Sequence, residues 1–122
     1  MRFLGLNHIQ LHVPADRVQE AHAFYCLALS FQDLELPQGL GGSGGFWMAV
    51  PECSIWVGPT ETPVSSKIVI EVDDLEMGQK ELEGLSIVIR PLPIAVGFER
   101  LEFTDPFGHV WQLVCRLPYD DV

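Results

Sequence analysis

The two halves of this chain repeat one another, and that repeat limits the fold more than any single motif does. Sliding the sequence by just under sixty residues lays Val13 on Val72, with Pro14 and Ala15 over Asp73 and Asp74, so that His8 falls on Lys67. At the other end of each half, Trp56 in "SIWVG" falls on Gln112 in "VWQLV". A pattern that recurs once within 122 residues is one supersecondary module made twice.

Each copy carries the same order of elements. In "LNHIQLHVP" the apolar Ile9, Leu11 and Val13 alternate with His8, Gln10 and His12, the period of a strand with one apolar and one polar face. "ADRVQEAHAFYCLAL" spaces Val18, Ala21, Phe24, Tyr25 and Leu29 as a helix, with Asp16 at its positive end and Phe24 and Tyr25 as core aromatics. His22 is expected on the partly exposed surface of that helix. "FQDLELP", "FWMAV" and "CSIWVG" read as strands. The loop Gln38 to Gly45 runs straight into a strand without Lys-Ser or Lys-Thr, so it is a flexible connection and not a phosphate cradle.

In the second half "SKIVIEVDD" alternates again, and "DLEMGQKELEG" is a short amphipathic helix with Leu75 and Leu82 apolar and Gly84 at its end. "LSIVIR", "ERLEFT" and "VWQLVC" are three further strands. "TDPFGH" makes the last turn, begun by Asp105 and Pro106 and offering Gly108 where a positive φ is needed. The expected fold is therefore α+β: two β-α-β-β-β modules in a pseudo-twofold repeat, forming a cupped mixed sheet with helices on its outer face. The whole chain, 1–122, reads as one domain, with module one over about residues 4–59 and module two over about 64–117.

Composition narrows the partners. Seven Lys and Arg against 17 Asp and Glu leave a net charge of -10, which repels nucleic-acid backbones and anionic membranes. No apolar run approaches a membrane span and the N-terminus has no signal-peptide pattern, so a cytoplasmic location is expected. Cys26, Cys53 and Cys115 are odd in number, lack CxxC spacing and sit beside apolar residues, as small hydrophobes in a reducing compartment do. His12, toward the strand end, is expected to be partly exposed, His109, which follows a glycine, to be exposed, and Trp111 and Leu113 to face the helix.

With "GLNHIQLHVP", "AHAFYCLALSF", "VDDLE" and above all "FTDPFGHVWQLV", the chain resembles the vicinal oxygen chelate superfamily, which includes glyoxalase I, bleomycin-resistance proteins and extradiol dioxygenases. The resemblance covers nearly the whole chain. It implies paired modules curled into a cup, a homodimer, and, in members that use a metal, ligands at the strand positions matched here by His8, Trp56, Lys67 and Gln112. His8 and Gln112 are the residual metal positions. Trp56 offers only an N–H donor and Lys67 is an ammonium, so two of the four ligands are missing.

Two functions follow. In the first, the cup has lost its metal and binds a planar or aromatic small molecule without a cofactor. Trp56 is then a stacking platform and His8, Gln10, Lys67, Arg100, Glu102 and Gln112 supply polar contacts. Arg100 and Glu102 share parity in "ERLEFT", opposite Leu101 and Phe103, which assigns both to the cup. In the second, the chain is a lyase, isomerase or dioxygenase-type enzyme. It would hold a divalent metal at a displaced site, with Glu102 joining His8 and Gln112, or use His8 as a metal-free general base near Lys67. A blander alternative fills the cup with the protein's own Trp47, Trp56 and Trp111.

Overall fold

Each half of the chain builds a four-stranded mixed sheet with the same strand order. The computed structural model describes residues 1–35 and 41–118, and these fall into two units, Met1–Val64 and Ser65–Val122. In the first unit β1 (Ile9–Pro14) lies parallel to β4 (Cys53–Thr60), which continues antiparallel to β3 (Phe46–Val50) and β2 (Gln32–Leu34). In the second, β5 (Lys67–Glu71) lies parallel to β8 (Val110–Arg116), followed by β7 (Phe98–Thr104) and β6 (Arg90–Ala95). The parallel pair in each unit needs a crossover, and the helical segment after the first strand supplies it.

The register shows that the repeat is physical. Gln10 pairs with Trp56 in unit one, and Val69 pairs with Gln112 in unit two. Those are the residues that the sequence repeat lays on each other, so both copies are built to the same offset.

The apolar sides of the strands make the cores. Leu11, Val13, Ile55, Val57 and Met48 are buried with Ala21 and Tyr25 of the first helical segment. That segment is not one α-helix. A 3-10 turn at Ala15–Arg17 leads into α1 (Val18–His22), which widens into a π-helical turn at Ala23–Ala28. The Leu29 amide donates to the Phe24 carbonyl five residues back (3.0 Å), and the Phe31 amide reaches the Tyr25 carbonyl (3.0 Å). Tyr25 stacks on Phe31, with ring centroids 6.3 Å apart, and is fully buried, whereas Phe24 is only half-buried. In unit two α2 (Leu75–Gly84) is capped by Asp74, whose carboxylate accepts from the Met77 amide at 2.9 Å. Leu82 is its buried residue, and Gly84 closes it as expected.

The strand expected over "LSIVIR" starts five residues later, at Arg90, and runs through Pro91 and Pro93. Proline removes a ladder donor, which argues against a strand unless it lies at a sheet edge, and β6 is an edge strand. Pro91 and Pro93 share parity, so both missing N–H groups fall on the same side.

His109, expected to be exposed, is fully buried. The cause is the "TDPFGH" turn. Asp105 is itself buried, and its Oδ1 accepts from the Phe107 amide (2.8 Å) and the His109 amide (3.0 Å) while Oδ2 accepts from Trp111 Nε1 (2.9 Å). Gly108 takes the positive φ, 95°. The His109 ring is thereby turned inward, and its Nδ1 accepts from the Ser66 amide at 3.0 Å, pinning the start of β5. Trp111 lies in the core, as its parity requires. Cys26, Cys53 and Cys115 are free thiols, half-buried and not fully so. Among the described residues no helix is long and apolar enough to cross a membrane.

Candidate functional site

Residues paired across strands present their side chains to the same face of a sheet, so the register identifies the polar face of each unit. In unit one, Gln10, Trp56 and Trp47 form one row across β1, β4 and β3. Trp47 and Trp56 meet at 5.4 Å between ring centroids, tilted by 56°, and are 3% and 2% exposed. His8 stands just before β1 and sets its edge on Trp47, at 5.0 Å and 75°.

The His8 ring is held from both nitrogens. Nδ1 lies 2.7 Å from Asn7 Oδ1, and Nε2 lies 3.2 Å from Gln10 Nε2. An amide nitrogen only donates, so His8 Nε2 accepts and Nδ1 carries the proton; this neutral tautomer follows from the network. Gln10 Nε2 also donates to the Gly41 carbonyl at 3.4 Å, tying the polar face to the glycine loop.

That loop changes the meaning of Trp56. A Cβ on Gly41 would sit 2.2 Å from Trp56 Cδ2, one on Gly45 2.7 Å from Cζ2, and one on Gly58 2.6 Å from Nε1. Three glycines therefore press backbone against the indole, and only glycine permits that approach. The open stacking platform expected of Trp56 is covered by the chain itself. Gln38, in the expected ligand loop, lies outside the described residues, as do its neighbours 36–40.

In unit two the equivalent row runs Val69, Gln112, Glu102 and Arg90 across β5, β8, β7 and β6. Gln112 and Glu102 are 6% and 8% exposed, and the Arg90 guanidinium pairs with the Glu102 carboxylate. Arg90 was not among the residues expected from sequence, because the strand that carries it was expected to end there. Arg100 shares the face with Glu102, and its Nε donates to the Pro93 carbonyl at 3.0 Å, fastening β7 to the edge strand. Lys67 is exposed at the start of β5, opposite Val110, and among the described residues it has no ion-pair partner. Val69 beside it is 55% exposed.

Neither unit by itself offers a metal ligand set at these strand positions. Unit one offers His8, whose Nε2 lone pair is used by Gln10, and Trp56, which has none. Unit two offers the neutral amide of Gln112 and the ammonium of Lys67. Glu102, which the displaced-metal alternative would recruit, already neutralises Arg90. A separate group, His22, Cys26 and Asp33, has the right donor types and was not read as a site from the sequence, because the three residues are dispersed along the chain.

No protein-family model matches the chain, and no curated protein sequence does. Solved structures do. A protein described as of the glyoxalase family from Bacillus anthracis superposes with a TM-score of 0.84 at 21% identity, covering 95% of this chain and 98% of that one. The chain has the vicinal oxygen chelate fold. The fosfomycin resistance protein FosX from Listeria monocytogenes, in complex with Mn(II) and sulfate, has a TM-score of 0.72 at 13% identity, covering 98% of this chain and 95% of its own. TnmS3, an antibiotic-binding protein from Streptomyces sp. CB03234, has 0.70 at 18%, covering 94% and 99%. Within the vicinal oxygen chelate fold, the chain keeps the two-module frame.

Proposed function

We propose that the chain is a small-molecule binding protein of the glyoxalase and bleomycin-resistance type, with a degenerate metal site and a planar or aromatic ligand held on a polar sheet face. The observation that carries this reading is the seal on Trp56: flat glycine backbone, not bulky side chains, covers a buried indole. A planar ligand makes the same kind of contact and would take the loop's place, stacking being worth on the order of 1 kcal/mol beyond area burial.

On unit two, taken by itself, Lys67 and Arg100 favour an anionic group. Both are cations on the polar face of unit two, and an Arg guanidinium suits a carboxylate or phosphate. The net charge of -10 attracts cations from afar, but that field is screened within about 8 Å at physiological ionic strength, so the close contacts decide. A neutral or acidic aromatic ligand is favoured over a polycationic antibiotic. The antibiotic-binding relative supports binding as the activity of this frame, and the resistance proteins show that the frame also hosts other roles. The same reading carries a homodimer, a cytoplasmic location and no cofactor.

The test is a titration of planar acids and bleomycin-like cations followed by tryptophan fluorescence, with Trp56→Phe and Arg100→Ala as controls. Saturable binding of acids that weakens in both variants supports the reading. Binding of cations that survives both substitutions overturns the pocket chemistry, and no binding across a broad panel favours a face filled by the protein's own side chains. Enzyme chemistry at a displaced metal is tested separately, in the Cys26→Ser background. There, stoichiometric metal with a melting temperature lowered by chelator would replace this reading with the enzyme one.

A further inference from the structure

We propose a transition-metal site, with zinc as its preferred ion, at His22, Cys26 and Asp33 in unit one. It lies apart from the four positions discussed above. Asp33 pairs with Met48, so it belongs to the face of the sheet opposite Trp56 and Trp47, and His22 and Cys26 sit on the helical segment that packs there. One ligand atom from each residue lies within 4.8 Å of the others.

The arrangement is held from several sides. His22 and Cys26 are four residues apart on a helical segment, which brings their side chains to one face. The His22 ring stands edge-on to Phe46, with centroids 5.0 Å apart and planes at 90°, which limits its rotation. Its Nε2 lies 2.5 Å from Asp33 Oδ2, so without a metal a proton occupies the position between them. Ligand atoms about 2.0 to 2.3 Å from a zinc ion stand further apart than that contact, by roughly 1 Å. His22 and Asp33 are partly exposed, and small side-chain rotations supply the difference.

The donor set selects the ion. Thiolate and imidazole favour zinc and its softer neighbours over magnesium or calcium, which take oxygen ligands. Three protein ligands leave a fourth position for water. Thiolate and carboxylate together offset the two positive charges, so the loaded site is neutral. Without a cation the thiol stays protonated: burial first, and then the Asp33 carboxylate, push Cys26 up to about 11. A bound cation reverses both influences. Binding breaks the Cys26 S–H bond, forms a metal–sulfur bond and releases that proton to water, while the proton between Nε2 and Oδ2 moves to Nδ1 or to water. Affinity therefore rises with pH. The loaded site would clip the π-helical turn to β2.

The experiment titrates the chelator-treated full-length protein with Co2+ as a spectroscopic probe and then with Zn2+. One equivalent of Co2+ is expected to produce a thiolate-to-cobalt charge-transfer band, which Zn2+ then displaces. The band should be absent in Cys26→Ser and Cys26→Ala. Binding should weaken at least tenfold in His22→Ala and Asp33→Asn, and remain unchanged in His8→Ala and Gln112→Ala. Circular dichroism confirms that each variant is folded. A band that persists in folded Cys26 variants, the absence of any band at one equivalent, or equal loss in His8→Ala would overturn the assignment. None of these outcomes depends on the ligand-binding reading, which the Trp56 and Arg100 variants test.

Discussion

Replacing Gly41 by alanine drives a methyl group into the ring of Trp56. The new Cβ would stand 2.2 Å from Cδ2, 2.4 Å from Cγ and 2.6 Å from Cε3, where ordinary contacts begin at 3.4 Å. The clash can be relieved in two ways. If the loop stays, the contact is overpacked, at about 1–3 kcal/mol. If the loop lifts, it uncovers one side of an indole. A buried aromatic hides about 150–250 Å², so roughly half of that at about 25 cal/mol per Å² comes to about 2–3 kcal/mol. Both routes converge on a loss of about 2 kcal/mol, measured by urea unfolding. Tryptophan emission separates them, because only a lifted loop shifts it to longer wavelength and admits an aqueous quencher.

The functional consequence has its own magnitude. If a planar ligand must displace the loop in the wild type, that displacement is subtracted from its affinity. A variant whose loop is already lifted binds more tightly, by about tenfold for each 1.4 kcal/mol relieved. Gly45→Ala is the harsher companion, since its Cβ would meet the Val57 carbonyl at 2.1 Å and no side-chain movement can help. A Gly41→Ala protein with unchanged stability and emission would refute the seal. One that is destabilised and exposed, yet binds no better, would refute placing the ligand over Trp56.

Three further outcomes are expected. Asp105→Ala removes the buried acceptor of three hydrogen bonds, those from Phe107, His109 and Trp111, at about 1–3 kcal/mol each for bonds to a charged group, so a total loss below about 1 kcal/mol in urea would contradict the role given to the turn. Asp105→Asn, which keeps the Oδ1 acceptor, should lose about half as much. Gly78→Ala, in the interior of α2 with an ordinary 3.7 Å contact to Leu113, should raise stability by about 0.5–1 kcal/mol through helix propensity, and a lowered melting temperature would show the contact to be tighter. In metal-free protein the Cys26 thiol is raised from 9.0 to about 11. The unfolded chain therefore gives up this proton first, and the Cys26 contribution to stability is full below pH 9 and lost as pH rises toward 11. Alkylation of Cys26 at pH 8, followed by peptide mapping, should be about tenfold slower than in the unfolded chain, because the thiolate is the reacting form and its scarcity is only partly offset by its greater nucleophilicity.

Periodicity and repetition settled the architecture without any coordinates. Alternation in "HIQLHV" and "SKIVIEV" depends only on the two-residue period of a strand, and it put His8 and Lys67 at equivalent positions in their modules. The equal registers of Gln10 with Trp56 and Val69 with Gln112 follow from one repeat unit used twice. That Trp56 and a protonated Lys67 offer no lone pair to a metal is a property of the residues wherever they point.

What the sequence could not settle depends on contacts between distant residues. The strand at Arg90–Ala95 contradicts the local preference of "LSIVIR" because an edge position tolerates Pro91 and Pro93, and edges are defined only once the sheet is ordered. His109 is buried because Asp105 gathers the turn inward and the Ser66 amide meets its ring, a partner 43 positions away. Gly41 and Gly45, which lie over Trp56, look like part of a flexible loop in sequence, since their close approach to an indole is a fact of distance and not of composition. His22, Cys26 and Asp33 are unremarkable along the chain. They become neighbours only where the helical segment crosses β2, since chemistry needs donors within a few ångströms and sequence spacing does not measure that distance.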